Sequence, residues 1–465
     1  MNNFKLIIYE LNEAPKRVID FYIKLKPNSN LSKVIRKGKF LNTFTNDVGE
    51  LHPWSTWPSV HRGVNNEKHK IKYINQVKVE SKKYPPVWEI LLKNKLKIGI
   101  FGSLQSFPPI IDKSNVSFYL PDTFAPDPDA IPKELIDFQT FNLELVNDNK
   151  AISRPLKIKN VKNFIKLFIK NTISLKSSLN SALHIFKEFF NKKYKTRRSV
   201  LQAVISFDLY MKYLERTKPR FSTYFTNHLA GMMHRYWKYL FPSDFDIGAK
   251  NIDKFHSKSI IKAMDIFDSQ LGRLNSFCKK ENYDLWVVSG LGQEAIDRGE
   301  YIPEIFLKDF SLLIQKFNIK EGDLKILPSM QPDICIAAKD KKSFELTRVI
   351  FSQITDSLGN RIFIERYKPV KLTLNLFINI SKAVVENRVV CFGSKKYSLE
   401  EIGLEIFKRD IGTGYHCPEG ILIANGDKTL DLLEDISEEI DICKIAPTII
   451  SLFGLDIPKY MLKSL

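Results

Sequence analysis

The sequence has no CxxC pair, no apolar run of 18 residues, no internal repeat and no low-complexity linker. Its five cysteines, Cys278, Cys335, Cys391, Cys417 and Cys443, are odd in number and widely spaced. That argues against both a cysteine-based zinc site and a disulfide framework and points to a reducing compartment. Without a long apolar run no transmembrane helix is expected. The opening stretch MNNFKLIIYELNEAP has only a four-residue apolar run before Glu10, too short for the core of a secretory leader. Acid is scarce as well, 52 Asp and Glu against 71 Lys and Arg, for a net charge of +19. These absences predict a cytoplasmic chain, peripheral at most at the inner face of a membrane.

What is present is a large globular core. The chain has 465 residues, 44% hydrophobic and 26% charged, more than one minimal domain needs. Residues 4–9 (FKLIIY), 97–102 (KIGIFG), 283–289 (YDLWVVS) and 420–424 (GILIA) read as buried strands. Helical patterns lie at 86–94, 257–280 and 441–453. Alternating strands and helices predict an α/β fold, a mostly parallel sheet sandwiched by helices. The core is assigned to residues 1–150, 201–324 and 411–465. Residues 325–410, with short mixed signals, read as a small α+β insertion or cap. Residues 151–200 hold 13 Lys or Arg and one acid, Glu188, so this segment carries +12 and the remainder of the chain +7. Within it Phe164, Ile165, Leu167, Phe168 and Ile169 alternate with Lys162, Lys166 and Lys170, the pattern of a basic amphipathic helical insertion.

In a parallel sheet, chemistry sits where strands end. Five polar clusters occupy such places. Glu10, Asn12 and Glu13 follow the first strand, where carboxylates and an amide bind a cation or orient a hydroxyl. The stretch from His52 to Gly63 packs Ser55, Thr56, His61 and Arg62 beside two tryptophans, and a hydroxyl at a helix start can face a phosphate. Asn227, His228, His234 and Arg235 form the third cluster; the two histidines are six apart, which is not one helical face. Gly290, Gly292 and Gln293 follow the YDLWVVS strand, and His416 lies between glycine-rich turns and GILIA. Each cluster taken alone also fits a plain turn, a helix cap or a core histidine.

In order along the chain, these clusters resemble the alkaline phosphatase superfamily, in particular its type I phosphodiesterase and phosphoglycerate-mutase-like branches. Thr56-Trp57-Pro58-Ser59 through Gly63 looks like that family's nucleophile turn, with Thr56 at the nucleophile position. His234-Arg235-Tyr236-Trp237 and Tyr415-His416-Cys417-Pro418-Glu419-Gly420 resemble two of its metal motifs, and residues 445–458 its closing helix and tail. The resemblance implies an alkaline-phosphatase-like fold outside the two insertions. It also implies a degenerate site, because Glu10 stands where the family has Asp, Ala230 replaces a second Asp, and Gly290-Leu291 replace Asp-His. The remaining set can hold one divalent ion at most, on Glu10, His234 and His416, or none.

The expected activity is that of an enzyme on a phosphorylated or diphosphate-containing substrate, by phosphoester or phosphodiester hydrolysis or transfer. Thr56, Glu10, His234 and His416 are its expected catalytic residues. Asn12, Glu13, Ser55, His61, Arg62, Asn227, His228, Arg235 and Gln293 are expected to bind substrate. The expected setting is bacterial surface-glycan or lipid-linked oligosaccharide assembly, with a phosphorylated sugar, nucleotide sugar or lipid-linked glycan as partner. Residues 151–200 would meet an anionic membrane surface; no nucleic-acid partner is expected. Two other readings stand beside this one. The first is a metal-independent glycosyltransferase using a nucleotide-sugar donor on the same fold. The second is a catalytically inactive binding or scaffold protein.

Overall fold

The computed structural model describes the chain except for residues 1–2, 75, 77–79, 108–112, 149–174, 249–251, 300–302, 328, 330–332, 370, 380, 408–411 and 437–438. Its centre is an eight-stranded sheet. Six strands enter in chain order as β1 (Leu6–Leu11), β2 (Lys39–Phe44), β3 (Ile98–Phe101), β4 (Val116–Leu120), β5 (Phe221–Thr226) and β6 (Asp284–Ser289). The order across the sheet is Ile440–Asp441, β2, Glu419–Asn425, β6, β1, β5, β3, β4. Only Glu419–Asn425 runs antiparallel, to both β2 and β6. The expected mostly parallel sheet is therefore present, and the four segments read as strands all lie in it.

The strands carry side chains to two cores. Ile7, Tyr9 and Leu11 of β1 enter one, with the helices His228–Leu240 and Ser259–Glu281. Leu6 and Ile8 enter the other, with the helices Pro53–Arg62, Val87–Lys93 and Ile445–Leu452. All six residues of β1 are buried, Glu10 included. Helices on both faces explain why these strands read as unbroken apolar runs.

β5 breaks that pattern. Its sequence, FSTYFT, alternates hydroxyls with aromatics, yet it pairs with both β1 and β3. The hydroxyls are satisfied locally. Ser222 Oγ donates to the Gly99 carbonyl at 2.9 Å, and the Ser103 and Thr223 hydroxyls pair at 2.7 Å. Buried Ser and Thr can thus hold a central strand once their hydrogen bonds are met.

A third core of its own lies within residues 305–404, around Leu313, Ile336, Phe351 and Leu376. It is tied to the segments flanking the Pro53–Arg62 helix by Arg366, which donates to Glu50 Oε2 at 2.7 Å while Asp333 Oδ1 accepts its other nitrogen at 2.9 Å, and by the stacking of Tyr367 on Tyr73 at 5.1 Å. All five cysteines are free thiols. The amphipathic pattern at 162–170 falls outside the described residues. The described remainder of that segment is helical, with Leu175–Phe190, a 3-10 turn at Lys192–Arg197 and the start of Arg198–Thr217. No described helix is long and apolar enough to cross a membrane.

Candidate active site

Three adjacent strands, β5, β1 and β6, end side by side, and the loops beyond them supply most of the site. β1 ends at Leu11, and the backbone turns at Glu13 with φ 58°. That turn swings the Glu13 carboxylate away from the direction taken by Glu10. Glu13 Oε2 meets His234 Nε2 at 2.9 Å and His416 Nε2 at 3.4 Å, and it also accepts the Gln293 amide. Its Oε1 accepts Asn12 Nδ2 at 2.8 Å.

Each partner arrives from a different element. His234 sits in the His228–Leu240 helix that follows β5, and its Nδ1 bonds the Gly414 carbonyl at 2.9 Å. His416 lies on the short strand Gly414–Cys417, which pairs antiparallel with Gly292–Ala295, placing His416 opposite Gln293. Gln293 also donates to the Ala230 carbonyl at 3.2 Å. Asn12 links the group outward, donating to Asn227 Oδ1 at 2.6 Å and accepting Trp57 Nε1 at 2.8 Å.

The electrostatics follow from this crowding. Burial would raise the Glu13 carboxyl, but His416 and His234 overcome it and hold it well below the usual range. Burial would lower His416, but Glu13, with help from the Leu51 backbone and Glu50, holds it above the usual value. Glu13 is thus an anion held between imidazoles.

Glu13, His234 and His416 have ligand atoms within 4.8 Å of one another, the one such group of His, Cys, Asp and Glu among the described residues. A carboxylate with two imidazoles suits a single divalent transition metal. Gly290 and Ala230 bring no side-chain ligand to a second set. A Cβ at Gly290 would lie 3.0 Å from Val60 Cγ2 and 3.2 Å from Thr56 Cγ2, so an acidic side chain there would need those methyls to shift by a few tenths of an ångström. Ala230 offers only its carbonyl, already taken by Gln293.

Several expected site residues lie elsewhere. Glu10 does not join the two histidines. It occupies the face of β1 opposite Tyr9, where His61 Nε2 bonds its Oε1 at 2.7 Å, so the carboxylate of the cluster is Glu13. His61 is spent in that pair, and its ring packs on Trp57 and Trp88. Arg62 points away from the cluster, donating to the Tyr84 carbonyl, and burial pushes it down to about 10. His228 is a core histidine between the Thr226 hydroxyl at 2.7 Å and the Ala263 carbonyl at 3.1 Å, and burial pushes it down to about 4. Ser55 bonds back to the His52 carbonyl of its own helix start.

Thr56 stands in the second turn of the Pro53–Arg62 helix, one residue before Trp57. Its hydroxyl is buried beside the Asp47 carboxylate and, with Ser59 and Asn66, counters part of the rise that burial gives that group. Arg235 follows His234, and its carbonyl accepts the Thr413 hydroxyl. Sequence reasoning passed over Glu50, His52 and Tyr415 as site residues. His52 stacks on Trp54 at 4.4 Å and meets His416 edge to face at 5.7 Å. Glu50 takes the Tyr415 hydroxyl and lies 3.4 Å from His52 Nε2. Burial, partly offset by Glu50, pushes His52 down to about 4, so it is neutral at pH 7. Their signal was present, since His52 opens the HPWST stretch and Tyr415 adjoins His416.

No family model matches the chain, and no curated protein does. Solved structures do match over nearly its full length. One is the murine ectonucleotide pyrophosphatase/phosphodiesterase 5, at 10% identity and TM-score 0.39, covering 99% of this chain and 97% of that one. The human protein of the same name gives 10% identity and TM-score 0.38, over 98% and 96%. Phosphonoacetate hydrolase from Sinorhizobium meliloti 1021, in complex with phosphonoformate, gives 11% identity and TM-score 0.43, over 96% and 94%. At that degree of superposition, what the chain does has to be read from its own residues.

Proposed function

We propose that this chain acts on a substrate carrying a phosphoryl or diphosphate group, which it hydrolyses or transfers, with Glu13, His234 and His416 at the reacting centre. The observation that carries this is the orientation of His234. A carbonyl only accepts, so Nδ1 must carry the proton shared with Gly414. A neutral ring would then aim the Nε2 lone pair at a carboxylate oxygen 2.9 Å away. Two acceptors hold that separation only with positive charge between them. Between them lies a proton shared by the pair, or a divalent cation that Glu13, His234 and His416 would hold. When bound, such a cation supplies Lewis-acid stabilisation of a phosphoryl oxygen. Without it, the proton shared by His234 and Glu13 is placed to pass to a leaving oxygen.

The remaining residues take roles around that centre. Asn12 and Gln293 fix the Glu13 carboxylate. Thr56 is the nucleophile or a phosphate contact, and Arg235 is an anion clamp. Glu10, His61, Arg62 and His228 hold the scaffold. The biological setting we favour is surface-glycan or lipid-linked oligosaccharide assembly at the inner face of a membrane. The basic, apolar stretch within residues 151–200 supports that setting. A metal-independent glycosyltransferase is the second reading, favoured by Gly290 and Ala230, which bring no side-chain ligand to a second metal site.

Metal content of the protein purified without chelator, together with turnover of phosphodiester and nucleotide-sugar substrates by the native chain and Thr56→Ala, tests these readings. Phosphodiester turnover abolished by Thr56→Ala, with at most one bound ion, is the expected result. Nucleotide-sugar transfer that survives Thr56→Ala would favour the second reading. Two stoichiometric ions would overturn the site as described, and no turnover of either class would leave a binding or scaffold role.

A further inference from the structure

The Leu175–Phe190 helix is built inside out. Its inward face is polar: Ser177, Ser181 and Glu188 are 5%, 2% and 6% exposed. Its outward face is apolar: Leu179, Leu183, Phe186, Phe189 and Phe190 are 70%, 50%, 58%, 83% and 78% exposed. At about 100° per residue, Leu179, Leu183, Phe186 and Phe190 fall within roughly 60° of arc, opposite the buried serines and Glu188. A soluble surface helix has the reverse arrangement.

The orientation is pinned by specific bonds. Arg198 Nε contacts both Glu188 oxygens, at 2.8 and 3.0 Å. His184 Nε2 donates to the Tyr194 carbonyl at 3.0 Å, and Ser181 Oγ to the Ser177 carbonyl at 2.8 Å. Rolling the helix to bury its phenylalanines would break the Arg198 and His184 contacts and leave Glu188 without its cation; the Ser181 bond lies within the helix and serves to satisfy a buried hydroxyl. The helix therefore presents five large apolar side chains to whatever lies outside.

We infer that this face docks on an anionic lipid surface, inserting Leu183, Phe186 and Phe190 among the headgroups. Charge selects this occupant. Lys187 and Lys192 are exposed beside the apolar stripe, and the acid on the helix, Glu188, is buried and paired. Residues 149–174, which precede the helix, add seven basic residues and no acidic one. A second copy of the chain would bring two such basic segments together, which their charge opposes. Anionic headgroups neutralise the flank while their acyl boundary takes the rings. The surface is separate from the Glu13–His234–His416 cluster, so the inference stands whether or not the proposed activity does.

The test is vesicle flotation of the full chain, with phosphatidylglycerol-rich vesicles against pure phosphatidylcholine vesicles. The native chain should float with the anionic vesicles only, less so at high salt. Phe186→Ser and Phe190→Ser should each weaken partition by roughly tenfold. Both side chains are exposed, so thermal melting should be unchanged. Lys187→Glu with Lys192→Glu should weaken partition while sparing the apolar face. Equal recovery with and without anionic lipid would overturn the inference. So would a concentration-dependent dimer that Phe190→Ser dissolves. A fall in melting temperature in both Phe variants with vesicle binding intact would show the face covered by the chain itself, and would equally overturn it.

Discussion

Glu10 and Glu13 leave the same strand three residues apart, and each meets a histidine nitrogen within 3 Å, His61 at 2.7 Å and His234 at 2.9 Å. The first pair is sealed. The side chains of His61 and Glu10 are 5% and 1% exposed, and the ring of Trp88 lies 4.7 Å from that of His61. The second pair opens outward, with His234 32% exposed, and a second imidazole shares its carboxylate. A carboxylate and a histidine in contact are not in themselves a site. What separates the two pairs is a route to solvent and a charge left for a ligand to balance.

The largest expected effect tests that separation directly. Glu13→Gln removes the anion between the two imidazoles and should lower turnover by roughly a hundredfold or more, the usual worth of a positioned acid or base. Glu10→Gln should leave the rate per folded molecule within a few-fold. Single-turnover rates on one substrate decide it, and equal losses would erase the distinction between the pairs.

Stability should rank them the other way. His61→Ala strands the Glu10 carboxylate in a closed interior and should cost about 3–5 kcal/mol, whereas His234→Ala, open to water, should cost about 1 kcal/mol. Denaturant titration of both variants measures this. A His234→Ala cost as large as that of His61→Ala would mean that the cluster is structural too.

The last contrast concerns pH. Burial pushes His228 down to about 4 and His69 down to about 3, below the ordinary value of about 6.5. The unfolded chain protonates these residues first, so their stability is fully present above about pH 6.5 and is lost as pH falls. At pH 5 the loss should be about 2 kcal/mol for each. In the cluster, Glu13 is lowered and His416 raised. The Glu13 contribution is present above about pH 4.3 and lost on acidification. That of His416 is present below about pH 6.5 and lost as pH rises through its raised value. His228→Gln should therefore flatten the acid side of a melting-temperature profile, and His416→Gln the alkaline side. Identical profiles for the two variants would remove the contrast.

Much of this architecture could be read from sequence, and the failures have physical causes. LIIY, KIGIF, DLWVVS and GILIA are runs buried on both faces, and burial on both faces leaves an unbroken apolar signature. FSTYFT left none, because Ser222 and Thr223 are satisfied by neighbouring strands that the sequence does not place. Glu10 and Glu13 were both visible, but choosing between them needs strand parity and the turn at Glu13. His416 and Gln293 meet through the register of two short strands more than a hundred residues apart, which no local pattern encodes. His228 and His234 looked alike in composition. One fills its two nitrogens inside the core, and the other reaches the carboxylate.

Glu13 holds its backbone at φ 58°. A residue with a Cβ holds that left-handed conformation at about 1 kcal/mol, a cost glycine would escape. The imidazoles of His234 and His416 more than offset the cost of keeping that carboxylate dry. The strained turn and the ionised cluster are therefore coupled. Glycine would relax the backbone here but would forfeit the two imidazole contacts, so the groups that form the centre are also what keep its least comfortable residue in place.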